Sequence, residues 1–489
     1  MANKRLFEST PGRRLPRTDA RNSSNVPAYA LEPEHALAQY AATGCLNGTF
    51  YATDVEQLDA VLALCGRCTP EFVAKTAIYA RERAHMKDMP ALLLAALSVS
   101  SPAHFTVAFD RVITDAKMLR NFVQIMRSGV VARKSLGSLP KRMILRWLES
   151  RSDEALFRGA IGRSPSLADV IRMVHPKPKS AARSALYGYL LGKPHDAALL
   201  PQVVRDFEAF MRRETTEVPK VPFQRLTALD LPPWAWKEIA RNASWQETRQ
   251  SLNTYLRHGA LEDPALVRRI AGRLADSDRI ATSRVLPYQL LIAAWSAHRD
   301  LPRPIRKALH DALELSIANV PTIDGDVVVC PDVSGSMTWA AVTGHRKGST
   351  SAVRCIDIAA LVTAAVLRKN PTARVLPFES KVVDVDLNPK MPVMMNAQKL
   401  ASIGGGGTNL SAPLARLNQE QAKGDLVIFV SDNESWVDAG RRYGSTETMK
   451  EWAKFQARNP RAKLVCLDIQ PNSTTQAQER NDILNIGGF

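Results

Sequence analysis

The chain has 489 residues, 45% of them hydrophobic, and a formal net charge of +17 at pH 7. That length predicts two to four domains with substantial cores. No run of about 18 uncharged apolar residues occurs, which argues against a helical membrane span. The charge is uneven: residues 1–320 hold 46 Lys and Arg against 31 Asp and Glu, whereas residues 321–489 hold 19 against 17. Residues 111–220 alone carry 21 basic and 10 acidic side chains. A basic excess confined to one part of the chain points to a polyanion partner, RNA, DNA or anionic lipid, more than to a uniformly solvated surface.

Residues 1–30 read as an extended basic arm with prolines at 11, 16 and 27 and no secretory apolar core. Cysteines stand at 45, 65, 68, 330, 355 and 466. Cys65-Gly-Arg-Cys68 lacks a second ligand pair, so free thiols in a reducing cytoplasmic setting are expected.

Residues 31–320 form the first predicted domain. Apolar residues recur there at spacings of three and four, with Pro or Gly every 15 to 25 residues. Ser166-Leu-Ala-Asp169 has the form of a capping box. The helix that follows carries Leu167, Val170, Ile171 and Val174 on one stripe and ends before Pro176. Over 140–148, Met143, Ile144, Trp147 and Leu148 form an apolar face, with Lys141, Arg142 and Arg146 opposite. Short helices repeated in this way predict an irregular α-solenoid. Trp234, Trp236 and Trp245 are assigned to the core rather than to base stacking.

Residues 321–489 form the second predicted domain. Strand-like runs occur at 327–330, 374–378, 382–386, 426–430 and 464–469, with helical stretches at about 352–369, 397–403, 412–421 and 446–457. Alternation of this kind predicts a mostly parallel, doubly wound sheet with ligands beyond the carboxyl ends of its strands. Three segments converge on those ends. Asp332-Val-Ser-Gly-Ser336 follows the first strand, Thr408 follows Gly404–Gly407, and Asp432 follows the fourth. Singly, each has an ordinary reading: a turn, a flexible loop, a helix cap. Together they gather carboxylates and hydroxyls, hard oxygen donors that suit Mg²⁺.

This order resembles a von Willebrand factor A domain with a metal-ion-dependent adhesion site. The resemblance implies Asp332, Ser334, Ser336, Thr408 and Asp432 as ligands, with one metal position left for a partner's acidic group. Asn409 stands where relatives often have Asp, which reduces the charge behind the ligands.

A basic helical half before such a domain resembles the Ro 60 kDa autoantigen family, whose N-terminal module is the TROVE domain. The carrying segments are Cys45–Tyr51, Leu167–Lys177 with Val174-His-Pro-Lys177, Leu286–Ile292, Pro331–Met337 and Val430–Glu434. The resemblance implies HEAT-like repeats closed into a ring by the A-type domain. It also implies binding of small noncoding Y RNAs on the outer surface and of single-stranded ends of misfolded RNA in the central hole. In the family a Y RNA can tether the ring to an exoribonuclease, and a ring built within one chain would permit a monomer. No membrane association is expected, and RNA binding of this kind requires no catalysis. His175 occupies a motif position that contributes to RNA binding in the family. Lys141, Arg142, Arg146, Arg158, Arg163, Arg172, Lys177 and Lys179 are candidate phosphate contacts. Arg249, Asn253 and Arg257, at i, i+4 and i+8, are candidates to line a cavity.

Two other functions are open to these residues. One is a Mg²⁺-dependent protein-interaction module without an RNA role. The other is a phosphohydrolase using Asp332 and Asp432. No histidine or lysine motif supplies its acid, base or phosphate clamp, and the glycine run lacks the ending of a P-loop.

Overall fold

The computed structural model describes residues 15–43, 46, 49–283, 285, 287–318, 320–343, 353–437 and 444–488. The first 14 residues of the expected arm, Cys45 and Leu286 therefore lie outside the described residues, as does residue 352 of the predicted 352–369 helix.

From Pro33 to Ser316 the chain is an array of short helices. Their starts are written locally. Capping boxes close at Thr53/Glu56, Ser166/Asp169 and Ser244/Glu247, where side chains satisfy amides that the first turn leaves unpaired. Prolines open helices Pro70–Glu82, Pro102–Val112 and Pro264–Leu274, positions where a missing N–H costs nothing. The apolar stripes face one continuous core that runs from Leu31 to Leu309.

The C-terminal part is built on a five-stranded sheet in which every pairing is parallel. Its order is Ile483–Gly487, Lys463–Asp468, Leu426–Ser431, Val327–Pro331, Arg374–Val375. Val328 and Cys330 enter one core and Val327 and Val329 another, so the central strand is buried on both faces and reads as an unbroken apolar run. Helix Cys355–Lys369 packs Ile356 and Ala359 with the sheet core. Its Ala360, Leu361 and Ala364 share another core with Leu290, Leu291 and Leu313 of the helical array. Lying between sheet and array, it must be apolar almost all round.

Two expectations change. Residues 382–386 do not form a strand: Val382 makes only an isolated bridge to Phe378. The alternating apolar residues there pack against three different cores instead. The edge strand Ile483–Gly487, absent from the sequence reading, pairs with Lys463–Asp468.

Residues 15–30 are not a free arm. Strands Ala20–Arg21 and Pro27–Ala30 form a hairpin, and the second pairs antiparallel with Thr474–Thr475. Both ends of the array thus rest on the α/β part. At its start, Gln39 donates to Asp468 at 3.1 Å. At its end, Glu314 accepts from the Val393 amide at 2.7 Å and pairs with Arg368 at 3.3 Å.

Candidate metal centre and nucleic-acid interface

The central strand ends at Pro331, and the chain turns so that the Asp332 amide donates to the Val430 carbonyl of the neighbouring strand at 2.9 Å. This register sets the 332–336 loop beside the 431–435 loop. The glycine loop joins them through two backbone bonds of 3.0 Å, Gly335 to Gly406 and Gly405 to Val333. Gly406 has φ +71°, and a Cβ there would lie 1.3 Å from Glu379 Oε2, so any other residue would take a strained backbone and displace the Glu379 carboxylate.

Asp332, Ser334, Ser336, Thr408 and Asp432 are all buried. Asp332 Oδ1 accepts from the Ser334 amide at 2.9 Å, and Oδ2 from Ser431 Oγ at 2.7 Å. The Ser334 and Ser336 hydroxyl oxygens are 3.2 Å apart. Ser334 precedes helix Gly335–Trp339, yet its hydroxyl does not cap it and turns instead to Ser336. The Thr408 carbonyl accepts from the amides of Trp436 and Val437, both at 3.1 Å.

Asp432 carries the decisive observation. Both its carboxylate oxygens are buried without a hydrogen bond of normal geometry. The nearby Ser336 hydroxyl and Glu434 amide act in the opposite direction to burial without offsetting it. Burial first, then the charge of Asp332, pushes its carboxyl well above the usual range. Burial raises Asp332 as well. A buried carboxylate with no partner is costly, and a dication offsets both the desolvation and the repulsion between the two acids. Among the described residues there is no group of three or more His, Cys, Asp or Glu side chains suited to a metal. The candidate is therefore a hydroxyl-rich site, and its hard oxygen donors fit Mg²⁺ better than a thiophilic ion. The thiols of Cys65 and Cys68 are free, so the CxxC forms no disulfide.

Asn409, the departure from the A-domain pattern, has its own task. Its amide donates to the Ser380 carbonyl at 3.1 Å, and its oxygen accepts from the Ser411 amide and hydroxyl. An aspartate could not make the first bond.

Residues distant in sequence complete the surroundings. Glu434 is buried and accepts from the Ser23 amide and hydroxyl, both at 3.0 Å, while Asn22 donates to the Ser435 carbonyl at 2.8 Å. Burial pushes Glu434 up to about 7. Asp468, which accepts from Gln39 and from Asn433 at 3.2 Å, is raised by the same cause to about 7. Phe50 and Tyr51, the described end of the Cys45–Tyr51 segment, line a cavity of about 710 Å³ with Ser336, Thr408, Trp339 and Trp436. Burial and then the charge of Asp432 raise the Tyr51 hydroxyl. The sequence places Glu434 within the Val430–Glu434 motif without marking a role for it. Nothing local flags Ser23, whose partner is 411 positions away.

In the helical half, Ser138–Ser150 buries Met143, Ile144, Trp147 and Leu148. Lys141, Arg142 and Arg146 are exposed on the other side, as expected, with Arg146 paired to Asp110. Arg158 pairs with Glu154, Arg172 with Asp169 and Lys179 with Glu149, at 2.7–2.9 Å. Lys141, Arg142, Arg163 and Lys177 are exposed and make no ion pair among the described residues. His175 ends helix Leu167–Val174 in the left-handed region (φ 51°), exposed beside a groove of about 420 Å³ shared with Arg172, Tyr187 and Lys193.

The 249/253/257 row is different. Arg249 donates to the Gln289 carbonyl at 2.9 Å and Asn253 to that of Ser296 at 2.8 Å. Both are struts between helices, and Arg257 alone of the three is exposed. The tryptophans also divide. Trp236 and Trp245 are buried as expected, but Trp234 is 46% exposed, so its assignment to the core is corrected.

Residues 327–489, which hold this hydroxyl-rich site, match the family model described as the Ro60 vWA domain. That segment is similar to a Ro60 vWA domain. The chain is 26% identical to "RNA-binding protein RO60" of Deinococcus radiodurans over 97% of its own length and 94% of that relative. It is 24% identical to the Caenorhabditis elegans protein of the same name over 47% of this chain and 36% of that one. The crystal structure of the Deinococcus radiodurans RO (RSR) protein superposes with a TM-score of 0.62, covering 94% of this chain and 97% of the other at 22% identity. These findings bear out the resemblance to the Ro 60 kDa family and the combination of helical array and A-type domain. Among the described residues no helix is long and apolar enough to cross a membrane.

Proposed function

We propose that this protein is an RNA-binding scaffold whose helical half holds RNA through phosphate and end contacts, without catalysis. The observation that carries this reading is the set of exposed cations that no neighbouring acid neutralises: Lys141, Arg142, Arg163 and Lys177, with His175 between them in sequence. An ion-paired arginine must first give up its carboxylate, whereas an unpaired one gains from displacing counterions alone. The relatives support the reading, since both carry the name of an RNA-binding protein. Small structured noncoding RNA of the Y type and single-stranded RNA ends are the expected ligands. Quality control or processing beside an exoribonuclease, within a closed ring acting as a cytoplasmic monomer, is the expected setting.

The test is fluorescence anisotropy with a structured small RNA across a salt series. Wild-type affinity should fall steeply with salt, and the double variant Lys141→Glu/Arg142→Glu should bind more weakly. The slope of log K against log salt should shrink by roughly 0.7–0.9 for each phosphate that the variant no longer neutralises. Salt-independent binding, or none at moderate salt, defeats the proposal.

A second role attaches to the A-type domain. The orphaned Asp432 oxygens support a Mg²⁺ ion held by Asp332, Ser334, Ser336, Thr408 and Asp432. The neighbouring cavity, rimmed by exposed Trp339 and Trp436, supports a protein partner that offers a carboxylate beside an apolar group. Pull-down with and without chelator tests this separately from RNA binding.

A further inference from the structure

The last turn of helix Pro233–Asn242 stands between two cavities that share Arg241, Asn242 and Ala243. The larger, about 850 Å³, is amphipathic, with Trp234, Phe223 and Val218 beside Lys220 and Lys237. The smaller, about 470 Å³, is lined by Arg241, Arg269, Arg273 and Arg279 with Asp276; Arg279 pairs with Asp276 at 3.2 Å and Arg241 with Glu238 at 2.7 Å. We infer that this double trough is a subsite for single-stranded RNA, with a base stacked on Trp234 in the larger lobe and a phosphate held by the unpaired Arg269 in the smaller, where Arg279 joins it only by giving up Asp276. The inference rests on the RNA-binding reading above and assigns it a place on the chain.

Four features support it. Trp234 keeps 46% of its surface exposed beside a cavity, although Trp236 and Trp245 nearby are buried. Neither Lys220 nor Lys237 forms an ion pair among the described residues, nor does Arg269. Two of the three acids lining the larger lobe already have partners: Glu238 holds Arg241 at 2.7 Å and Asn242 at 2.6 Å, and Glu247 closes the cap on the Ser244 amide at 2.8 Å.

The fourth feature concerns the helix end, which ordinarily repels anions. Here the buried Arg273 donates to the Ala240 carbonyl at 2.9 Å and the Arg241 carbonyl at 2.5 Å. A guanidinium therefore covers the negative end. Trp234 and Arg241 are seven residues apart on one helix, roughly 10 Å along its axis. That exceeds the reach from a base to its own phosphate, so the two lobes take different nucleotides of one strand. An aromatic platform beside a cationic groove is the sequence-tolerant way to hold single strands.

The experiment uses the full chain and fluorescein-labelled decaadenylate, with an abasic ten-mer of the same charge, followed by anisotropy. Trp234→Ala is expected to weaken decaadenylate binding by roughly five- to a hundredfold. It should leave abasic binding unchanged, and Trp234→Phe should restore most of the loss. Arg269→Glu should weaken both oligomers. If wild type binds decaadenylate but these variants do so equally well, the trough is not the site, while the RNA reading stands. If wild type binds neither oligomer nor structured RNA, that reading fails and the subsite with it. If Trp234→Ala instead loses binding of polyglutamate with decaadenylate unaffected, the trough is a protein site and the inference is overturned.

Discussion

Asp468 should make the contact between the first helix and the sheet dependent on pH. It is buried at the end of strand Lys463–Asp468, where its carboxylate accepts from Gln39 and Asn433. Those two amides do not compensate for desolvation, and its carboxyl rises from 3.8 to about 7. An acid that is weaker in the folded state than in the unfolded one contributes its full stability below the unfolded value, loses it as pH rises, and changes no further above about 7. At 1.36 kcal/mol per unit, the two units lying between pH 5 and 7 amount to about 3 kcal/mol. Native-state hydrogen exchange of the 463–468 amides, in chelator and corrected for intrinsic rates, measures this directly. From pH 5 to pH 8 the opening equilibrium should grow roughly a hundredfold. Asp468→Asn should lose this share of the slope. Its carboxamide keeps an acceptor and offers a donor to Gln39 Oε1, which is buried without a partner. A smaller slope persists in the variant, because Glu434 is also raised to about 7. Equal slopes in wild type and variant, or protection that increases toward pH 8, would refute the reasoning.

Asp332→Ala should abolish Mg²⁺ binding in calorimetry while RNA affinity in anisotropy stays unchanged, because the cation-bearing helices lie in the other half of the chain. Asp432→Asn should also abolish Mg²⁺ binding, yet raise the metal-free protein's stability by about 1–3 kcal/mol, since it removes the cost of burying an acid beside Asp332. The denaturant midpoint in chelator reads that gain. Gly406→Ala should cost about 1–3 kcal/mol in thermal unfolding, from the left-handed backbone and the collision with Glu379.

What was legible in the sequence was whatever short-range chemistry decides. The Ser166/Asp169 cap, the buried stripe of Leu167–Val174 and the two faces of Ser138–Ser150 follow from spacing along one helix. The Asp332, Thr408 and Asp432 loops were found because each follows a strand or a glycine run. What could not be read depends on distant partners. The 382–386 alternation has the period of a strand, but its side chains have separate cores to fill. Arg249 and Asn253 have the spacing of a binding row, and only the carbonyls of Gln289 and Ser296 reveal them as struts. Trp234, Trp236 and Trp245 are alike as residue types. Burial alone separates the exposed one from the other two.

The candidate metal site also lies at the seam of the molecule. The Asn22–Ser23 turn binds the Glu434 loop, helix Pro33–Thr43 reaches Asp468 through Gln39, and Tyr51 lies against the Ser336 side of the cavity. The carboxylates that repel one another there are the groups a dication would stabilise, and two of their neighbours are held by the N-terminal hairpin and first helix. A cation that relieves Asp432 also relieves the repulsion felt by Glu434 and, through Glu434, by Asp468. Any preference of the ion for the seated hairpin must then appear, by linkage, as an equal strengthening of the hairpin's docking by the ion. Metal binding and attachment of the array's first end therefore draw on the same buried charges. The exposed cations of the helical half are not among them, so if the proposed ion is bound, a chelator should loosen the seam before it weakens any binding of RNA.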